Sequence, residues 1–307
     1  GSVTIQTDLE SNSTGVGFNG GANVPPVVDV TQSIVLAQGS IVDVSSGGYV
    51  QPSGQLKFGP NGLPAGNGGN LSLITYNNAV WSNPQDNFQE GGPPGNIAPN
   101  GTNRPDVADV FMDGTIFSGG LNGGGTFALQ GPIIQIGGVD TVTSGAAPGT
   151  VALPGTFFSD NGFSAYSLTS TYGSTTVLAG TNVPLRQQNY LIELPAALPA
   201  SGARVRDFAA LGLAPFGMRQ PVSLTLAETP FPYGGTNDVS TNAGVTVEAG
   251  ATIEGEPGAS IDLTAAGPVT VLGNLIAPGG SITLDNDGTP VNLQQLAQGQ
   301  SVGVVTQ

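Results

Sequence analysis

The sequence predicts an all-β protein that folds as a parallel β-helix (β-solenoid) with loop excursions. The first observation behind this prediction is a recurring phrase, in which a small-residue turn precedes an apolar–polar–apolar step. Gly280-Ser281-Ile282-Thr283-Leu284 is one copy, and residues 1–5, 69–73, 125–129 and 259–263 are further copies. Repetition of one unit of about 20 residues, made of a turn and a short strand, is typical of solenoids.

The second observation is the spacing between two copies of this phrase. Ile261 and Leu263 return 21 residues later as Ile282 and Leu284. Because parallel strands lie about 4.8 Å apart, residues i and i+21 would stack in adjacent coils with their apolar side chains inside. At about 20–25 residues per coil, the chain would form roughly 12–15 coils, less its loops, and a rod on the order of 50–70 Å long.

The third observation is that apolar residues alternate with polar ones in short runs bounded by Gly and Asn, most regularly over residues 245–284. A period of two is typical of a half-buried strand. Gly258 and Gly279 are expected at corners that need a positive φ. Before the regular stretch, strands are expected at residues 1–7, 34–36, 41–44, 71–76, 115–117, 127–129, 133–136, 166–168, 175–178, 190–194 and 222–226.

Two segments break the alternation and are expected to leave the regular coil path as excursions. The first, about residues 77–113, is rich in Asn, Gln, Gly and Pro, and the second covers about residues 196–220. Residues 204–213 predict the only helix-like turn. The chain is expected to be one unit, with residues 1–307 forming a β-helix segment of a longer protein, because both ends resemble strands in mid-repeat.

Composition excludes several classes of function. The chain has 6 basic and 21 acidic residues, a net charge of −15, and phosphate binding needs clustered Lys and Arg, so no nucleic-acid partner is expected. Cys and His are both absent. Disulfides, thiolate chemistry and a Ser-His-Asp triad are therefore excluded. No apolar run approaches the ~20 residues of a membrane-spanning helix.

Several blocks of sequence occur in an order that points to a known family. Pro184-Leu185-Arg186-Gln187-Gln188-Asn189 is one block, and the others are residues 114–138, 157–168, 219–226 and 245–284. In these blocks the chain resembles the filamentous haemagglutinin-like large exoproteins of two-partner secretion, from about residue 30 onwards. The start of the chain shows no match to the amino-terminal secretion domain of that family. The resemblance therefore implies an internal shaft segment.

The resemblance also implies a right-handed β-helix that is exported unfolded through an outer-membrane secretion partner and displayed or released as a long fibre. The expected location is secreted, either extracellular or at the cell surface of a Gram-negative bacterium. The implied functions are adhesion, biofilm formation or cell–cell contact, with an unidentified host or bacterial surface receptor or glycan as the partner. End-to-end or lateral self-association is expected as well, because a coil without a neighbour leaves strand-edge groups unpaired.

Four acidic residues lie close together in the sequence, at Glu248, Glu254, Glu256 and Asp262. Two carboxyl groups that face each other at the right separation can cleave a glycosidic bond. The alternative is that all four are solvated, outward positions on the coil faces. The corner-like sequence from Glu254 to Pro257 favours this alternative.

The arginines form a second candidate group, since four of the five lie in one stretch, at Arg186, Arg204, Arg206 and Arg219. They could hold an acidic glycan. They could equally form ion pairs within an excursion that caps the coils, and this structural role is favoured. The candidate partners are Glu193, Asp207 and Glu228.

Two further features point to weaker candidates. Asp285-Asn286-Asp287-Gly288 begins like a calcium loop, but the twelfth position is Leu296, where an EF-hand needs an acidic residue, so a polar turn is favoured. Trp81, the single tryptophan, either stacks on a sugar or packs its loop onto the rod, and packing is favoured.

Two hypotheses about function follow. The first is a structural shaft segment of a secreted fibrous adhesin, with no catalytic residue, cofactor or metal of its own. The alternative is a β-helical protein that binds or degrades polysaccharide. The lack of His and the scarcity of Lys and Arg disfavour the enzyme, because such sites need a general base and cations.

Overall fold

The computed structural model describes residues 1–7, 10–11, 28–29, 34–48, 51–53, 57–60, 62–75, 110–138, 150–171, 173–192, 209–229 and 243–286. These residues form an all-β structure with one four-residue helix, α1 (Phe157–Asp160), and a 3-10 turn at Phe216–Met218. The strands are numbered in chain order. No helix in these ranges is both long enough and apolar enough to cross a membrane.

The largest element is a parallel sheet of seven strands, called here the first sheet. Its strands, in spatial order, are β1 (Ser2–Gln6), β6 (Asn70–Ile74), β9 (Thr126–Gly131), β12 (Ala165–Ser170), β17 (Ser223–Glu228), β20 (Ser260–Ala265) and β23 (Ser281–Asn286). All five copies of the recurring phrase fall in this sheet. Ile261 pairs with Ile282 and Leu263 with Leu284, which confirms the predicted stacking of residues 21 positions apart.

The described structure contains two further parallel sheets, whose strands alternate with those of the first sheet along the chain. The second sheet has the order β11 (Thr150–Leu153), β10 (Ile133–Ile136), β13 (Thr175–Val177), β18 (Val245–Val247) and β21 (Val269–Val271). The third sheet contains β14 (Asn182–Leu185), β19 (Thr252–Gly255) and β22 (Asn274–Ile276). From β12 onwards the chain visits the first, second and third sheets in rotation, so each round adds one strand to each sheet.

Four smaller strand pairs complete the described structure. Two are parallel: β4 (Ile34–Leu36) with β7 (Val110–Met112), and β5 (Ile41–Asp43) with β8 (Thr115–Phe117). Two are antiparallel: β2 (Glu10–Ser11) with β3 (Val28–Asp29), and β15 (Asn189–Ile192) with β16 (Ala209–Gly212).

The core consists of apolar side chains stacked on the inner face of the sheets. In the five inner strands of the first sheet, ten large inward side chains are at most 1% exposed, and they are Leu71, Leu73, Phe127, Leu129, Tyr166, Leu168, Leu224, Leu226, Ile261 and Leu263. Rings of Phe127, Phe157, Phe158 and Tyr166 contact one another mostly edge to face. Burial raises the pKa of the Tyr166 phenol, and the Asp160 carboxylate adds to the shift.

Backbone geometry at the corners agrees with the glycine pattern. Gly258 and Gly279 have φ values of 88° and 62°, as predicted. A different constraint applies to Gly125, the first residue of one recurring phrase: an added Cβ atom would collide with the backbone carbonyl of Gly69 in the adjacent layer. Glycine therefore serves both the corner conformation and the close approach of two layers.

Three predictions about organisation need correction. The first sheet has seven strands among the described residues, which is about 29 Å from first to last at ~4.8 Å per spacing, so 12–15 coils were too many. The reason is that most rounds are long: Ser2 pairs with Asn70, whereas only Ser260 and Ser281 are 21 residues apart. Of the helix-like turn predicted at 204–213, only residues 209–213 are described, and there the prediction is wrong because Ala209–Gly212 is a strand.

The third correction concerns the first excursion. Residues 77–109 lie outside the described residues, but Val110–Met112 already pair in parallel with β4, so the regular path resumes before residue 113. Of the second predicted excursion, residues 209–220 are described. They hold the antiparallel strand β16 and the 3-10 turn instead of a strand of the three parallel sheets.

Candidate functional site

The four acidic residues of the candidate hydrolytic group occupy separate environments. Glu254 is exposed on β19, and Asp262 accepts a hydrogen bond from the Ser260 hydroxyl at 3.1 Å. Glu248 accepts a hydrogen bond from the backbone N–H of Ala179 at 2.8 Å, between two adjacent rounds of the chain. Glu256 is half-buried in an ion pair. The expectation of solvated, outward positions is therefore incomplete for Glu248 and Glu256, because these two side chains join neighbouring segments.

The partner of Glu256 is Arg219, and this pair closes a small clasp, defined by Ala214, Phe216, Arg219 and Glu256. The Arg219 Nη1 atom forms the ion pair, and its Nε–H donates to the Ala214 carbonyl at 2.8 Å. The guanidinium also lies 5.4 Å from the centroid of the Phe216 ring, within the range of a cation–π contact. The clasp fastens the 3-10 segment to the corner between β19 and β20.

The clasp confirms a structural role for Arg219 but corrects its partner. The sequence suggests Glu193, Asp207 and Glu228 as partners, and it favours a solvated corner for Glu256, which is the partner in the structure. Arg186 is exposed. Arg204 and Arg206 lie outside the described residues, as do Trp81 and Asp287.

Glu228 is the acidic residue that sequence reasoning did not single out as a buried group. It is 2% exposed and ends β17, where Leu224, Leu226 and Glu228 share the inward positions. Its Oε2 atom accepts hydrogen bonds from the backbone N–H groups of Ala266 and Gly267, both at 3.2 Å. Burial raises the pKa of this carboxyl group, and the two N–H donors oppose the shift.

Glu228 belongs to a polar column at the corner where the first sheet ends. Ser170 pairs with Glu228, and Glu228 pairs with Ala265 in the next layer. The Thr175 hydroxyl donates to Ser170 Oγ or to the Ala227 carbonyl, both at 2.9 Å. Apolar columns fill the middle of each strand, whereas this corner is closed by side-chain hydrogen bonds between layers.

A second buried polar group lies at Gln187 and Asn189. Both are fully buried, and neither side-chain amide has a hydrogen-bond partner within the described structure. Every second residue from 183 to 189 faces inward, namely Val183, Leu185, Gln187 and Asn189. The alternation of the sequence therefore places the two amides inside. A buried polar group without a partner costs about 1–3 kcal/mol, which makes this corner a destabilising part of the described chain.

The two outermost strands of the first sheet have one neighbour each in the described structure, since β1 pairs with β6 and β23 with β20. In β23, Ile282 and Leu284 are 45% and 54% exposed, although they continue the buried columns of Ile261 and Leu263. Asn286, the second residue of the candidate calcium loop, donates through Nδ2 to the Gly267 carbonyl at 2.6 Å. This residue therefore acts in the contact between two layers.

A cavity of about 450 Å³ opens between β7 and β11, and we call it the interstrand cleft. The segment from β7 to β8 forms one wall, with Phe111, Met112 and Asp113. Residues of β11 and α1 form the other wall, including Ala152 and Phe157. Its volume lies in the ~300–1,000 Å³ range of small-ligand pockets.

Comparison with known proteins leaves the family open. No family model, curated protein or solved structure matches the chain. The functional inferences below therefore depend on the residues and their arrangement.

Proposed function

We propose that this protein is a structural shaft segment of a secreted, surface-displayed fibrous exoprotein of the filamentous haemagglutinin-like type. Its strands would form a right-handed parallel β-helix that works by length and rigidity. The observation that carries the proposal is the rotation of the chain through three parallel sheets, from β12 to β23, around one apolar interior. The right-handed sense follows the strong preference of parallel crossover connections.

The energetics of such a stack favour a mechanical role. Each layer is joined to the next by backbone hydrogen bonds along the stacking direction, as in the six-residue registers of β12 with β17 and β17 with β20. Contacts between nearest layers give a quasi-one-dimensional structure that can be lengthened by adding rounds. A fibre that holds a distal receptor- or glycan-binding region away from the cell needs this property.

The sequence blocks behind the family resemblance support the proposal, because they coincide with structural landmarks. Residues 114–138 contain β8, β9 and β10, and residues 157–168 contain α1 and most of β12. Residues 219–226 lead from the clasp into β17. We infer from the resemblance export through an outer-membrane partner and display on a Gram-negative cell.

The same proposal assigns no catalysis to this segment and assigns self-association to its outer strands. The separate environments of Glu248, Glu254, Glu256 and Asp262 support the first inference. The exposed Ile282 and Leu284 on β23 support end-to-end association, since an open strand edge can accept another strand.

Immunogold electron microscopy on intact cells tests the proposal. Cells would express the gene with its flanking sequence, and antibodies would be raised against residues 243–286. We expect label along fibres that project from the surface, and its loss when the secretion partner is deleted. Label confined to the cell interior would contradict the proposal. Release of reducing ends or unsaturated sugars from a glycan panel would favour the polysaccharide-degrading alternative.

A further inference from the structure

The antiparallel pair of β15 and β16 leaves the path of the three parallel sheets, and β16 has β15 as its single neighbour among the described strands. The apolar face of the pair packs on the stack. The Leu211 side chain lies so close to Gly119 that a Cβ atom added to Gly119 would stand 2.7 Å from Leu211 Cδ1. The strand β16 is therefore held against the side of the stack, with its second edge turned away from β15.

The direction of the backbone groups of β16 follows from one hydrogen bond of β15. The Tyr190 N–H donates to the Gly120 carbonyl at 2.8 Å, so it points away from β16. Tyr190 lies opposite Leu211, and hydrogen-bonded and non-hydrogen-bonded positions alternate along an antiparallel pair. The N–H and C=O groups of Leu211, and by alternation those of Ala209, therefore point to the outer edge. None of these groups has a hydrogen-bond partner among the described residues.

The side chains at this edge are apolar and uncharged. Leu211 and Leu213 are 37% and 41% exposed, and Phe216, in the 3-10 turn that follows, is 65% exposed. Between Asp207 and Arg219 the sequence has no charged residue. Natural proteins commonly protect a free strand edge with a charged residue or a proline. The strand β16 has neither, so its edge is open to another strand.

The edge of β16 is complementary to itself. When two copies pair in antiparallel fashion about Ala210, Ala209 of each copy lies opposite Leu211 of the other, and each such pair exchanges two hydrogen bonds. The large Leu211 side chain meets the small Ala209 on one face, and the two Ala210 methyl groups meet on the other. A second copy therefore satisfies all the free groups. It also places no charges opposite each other, although the chain carries a net charge of −15.

We propose that two copies of this chain associate side by side through β16, by antiparallel pairing of the two β16 strands about a two-fold axis at Ala210. The result is a four-stranded antiparallel sheet in the order β15-β16-β16-β15. Because this interface is small, the association is weak and depends on protein concentration. The site lies on the side of the stack. It is therefore independent of end-to-end pairing through β1 and β23 and of the shaft proposal.

A single cysteine tests the register, because the chain has no cysteine of its own. Ala210 is exposed, and across the proposed axis its two Cα atoms would stand about 4.5 Å apart, within the reach of a disulfide. Mild oxidation of the full chain carrying Ala210→Cys should therefore yield a covalent dimer. Thr283→Cys, at an exposed position of β23, is the matched control and should yield at least about fivefold less dimer, since the two-fold axis does not bring its copies together.

Charge pairs test the same contact without a covalent bond. Ala210→Lys and Ala210→Glu each place like charges opposite each other, so each should weaken dimer formation about fivefold in sedimentation velocity at low salt. An equimolar mixture of the two variants should restore the dimer, because Lys then faces Glu. Both variants and their parent carry Thr283→Lys, a charge on the edge of β23 that suppresses end-to-end pairing. Sedimentation therefore reports the lateral contact alone.

Four results would overturn the proposal, and none of them bears on fibre labelling at the cell surface. The first is a parent chain that stays monomeric up to about 1 mM. The second is an equal yield of covalent dimer from Ala210→Cys and Thr283→Cys. The third is a mixture of Ala210→Lys and Ala210→Glu that associates no better than either variant alone. The fourth is a monomeric chain that binds a blocked Val-Thr-Val-Thr-Val peptide, which would assign the edge to a different protein.

Discussion

At the residue scale, the carboxyl group of Glu228 shows how strand parity decides the environment of a polar side chain. The residue follows Leu224 and Leu226 on the inward face of β17, so the strand buries it. Two backbone N–H groups of the next layer stabilise its charged form, yet burial dominates and raises the pKa above the ordinary value of 4.5. The folded state therefore binds this proton more tightly than the unfolded state does.

Replacement of Glu228 by Gln is predicted to change the pH dependence of stability. A raised carboxyl pKa contributes stability that is fully present below the unfolded value and is lost as pH rises through the folded value. Glu228→Gln keeps an oxygen acceptor for both N–H groups and removes the charge. Urea unfolding between pH 4 and 8 should therefore show a smaller loss of unfolding free energy with rising pH than in the wild type.

Glu254→Gln is the control for this measurement, because Glu254 is exposed. Its pH profile should match that of the wild type. An unchanged profile for Glu228→Gln would mean that the carboxyl group is not titrating in the folded interior.

Gly125 gives a prediction about the distance between layers. A Cβ atom at this position collides with the Gly69 carbonyl, which is backbone and cannot rotate away. Gly125→Ala should therefore lower the unfolding free energy by about 1–3 kcal/mol, as overpacking does. Gly217→Ala has open space around the new methyl group and should change stability by less than about 0.5 kcal/mol. Similar losses in both variants would contradict the close approach of the two layers.

At the element scale, the clasp decides how the 3-10 segment is attached. Phe216 is 65% exposed, so little apolar burial holds this turn in place. The contacts of Arg219 with Glu256, Ala214 and Phe216 supply the attachment. A segment held by few polar contacts opens locally at a low free-energy cost.

Arg219→Ala is predicted to release this segment without unfolding the sheets. Chymotrypsin should cleave after Phe216 several-fold faster than in the wild type, while the midpoint of urea unfolding changes little, because a partly exposed ion pair contributes about 1 kcal/mol or less. Arg186→Ala, at an exposed arginine, should not alter the cleavage rate. Faster cleavage inside β17 or β20 would show instead that the clasp holds the sheets.

At the scale of the whole molecule, stability is distributed layer by layer. A charge placed in the interior should therefore act locally. Ile261→Asp buries an unpaired carboxylate between Leu224 and Ile282, which is severely destabilising. Hydrogen exchange should show lost protection in β17, β20 and β23 and retained protection in β6 and β9. Uniform loss through all seven strands would mean that the stack unfolds as one cooperative unit.

The sequence predicts the parts of this molecule that repeat. Ile261 and Ile282 stack as expected because the same apolar–polar alternation occurs twice, at a spacing equal to one round of the chain. The helix α1 and the antiparallel pair of β15 and β16 have no such signal. They depend on contacts between distant residues, such as the bond from Arg186 to Phe158, and backbone pairing with Asn189–Ile192 makes Ala209–Gly212 a strand.

The candidate sites also divide into features that have a repeating sequence signal and features that have none. The alternation of buried and outward positions predicts that Glu228, Gln187 and Asn189 lie in the interior, so the sequence contains the signal for their burial. The pairing of Arg219 with Glu256 could not be predicted, since it joins an irregular segment to a corner in the next round. The interstrand cleft lies between β7 and β11, which do not pair within the described residues, and no local pattern predicts this arrangement.

The unequal length of the rounds has a consequence for the order of folding. Pairing Ser260 with Ser281 closes a much shorter loop than pairing Ser2 with Asn70, and the difference in chain entropy is about 1 kcal/mol in favour of the shorter loop. The short rounds near residue 281 should therefore nucleate first, and the stack should grow from there towards β1. Pulse-labelled hydrogen exchange during refolding should find β20 and β23 protected before β1 and β6, and the reverse order would place the nucleus at the opposite end.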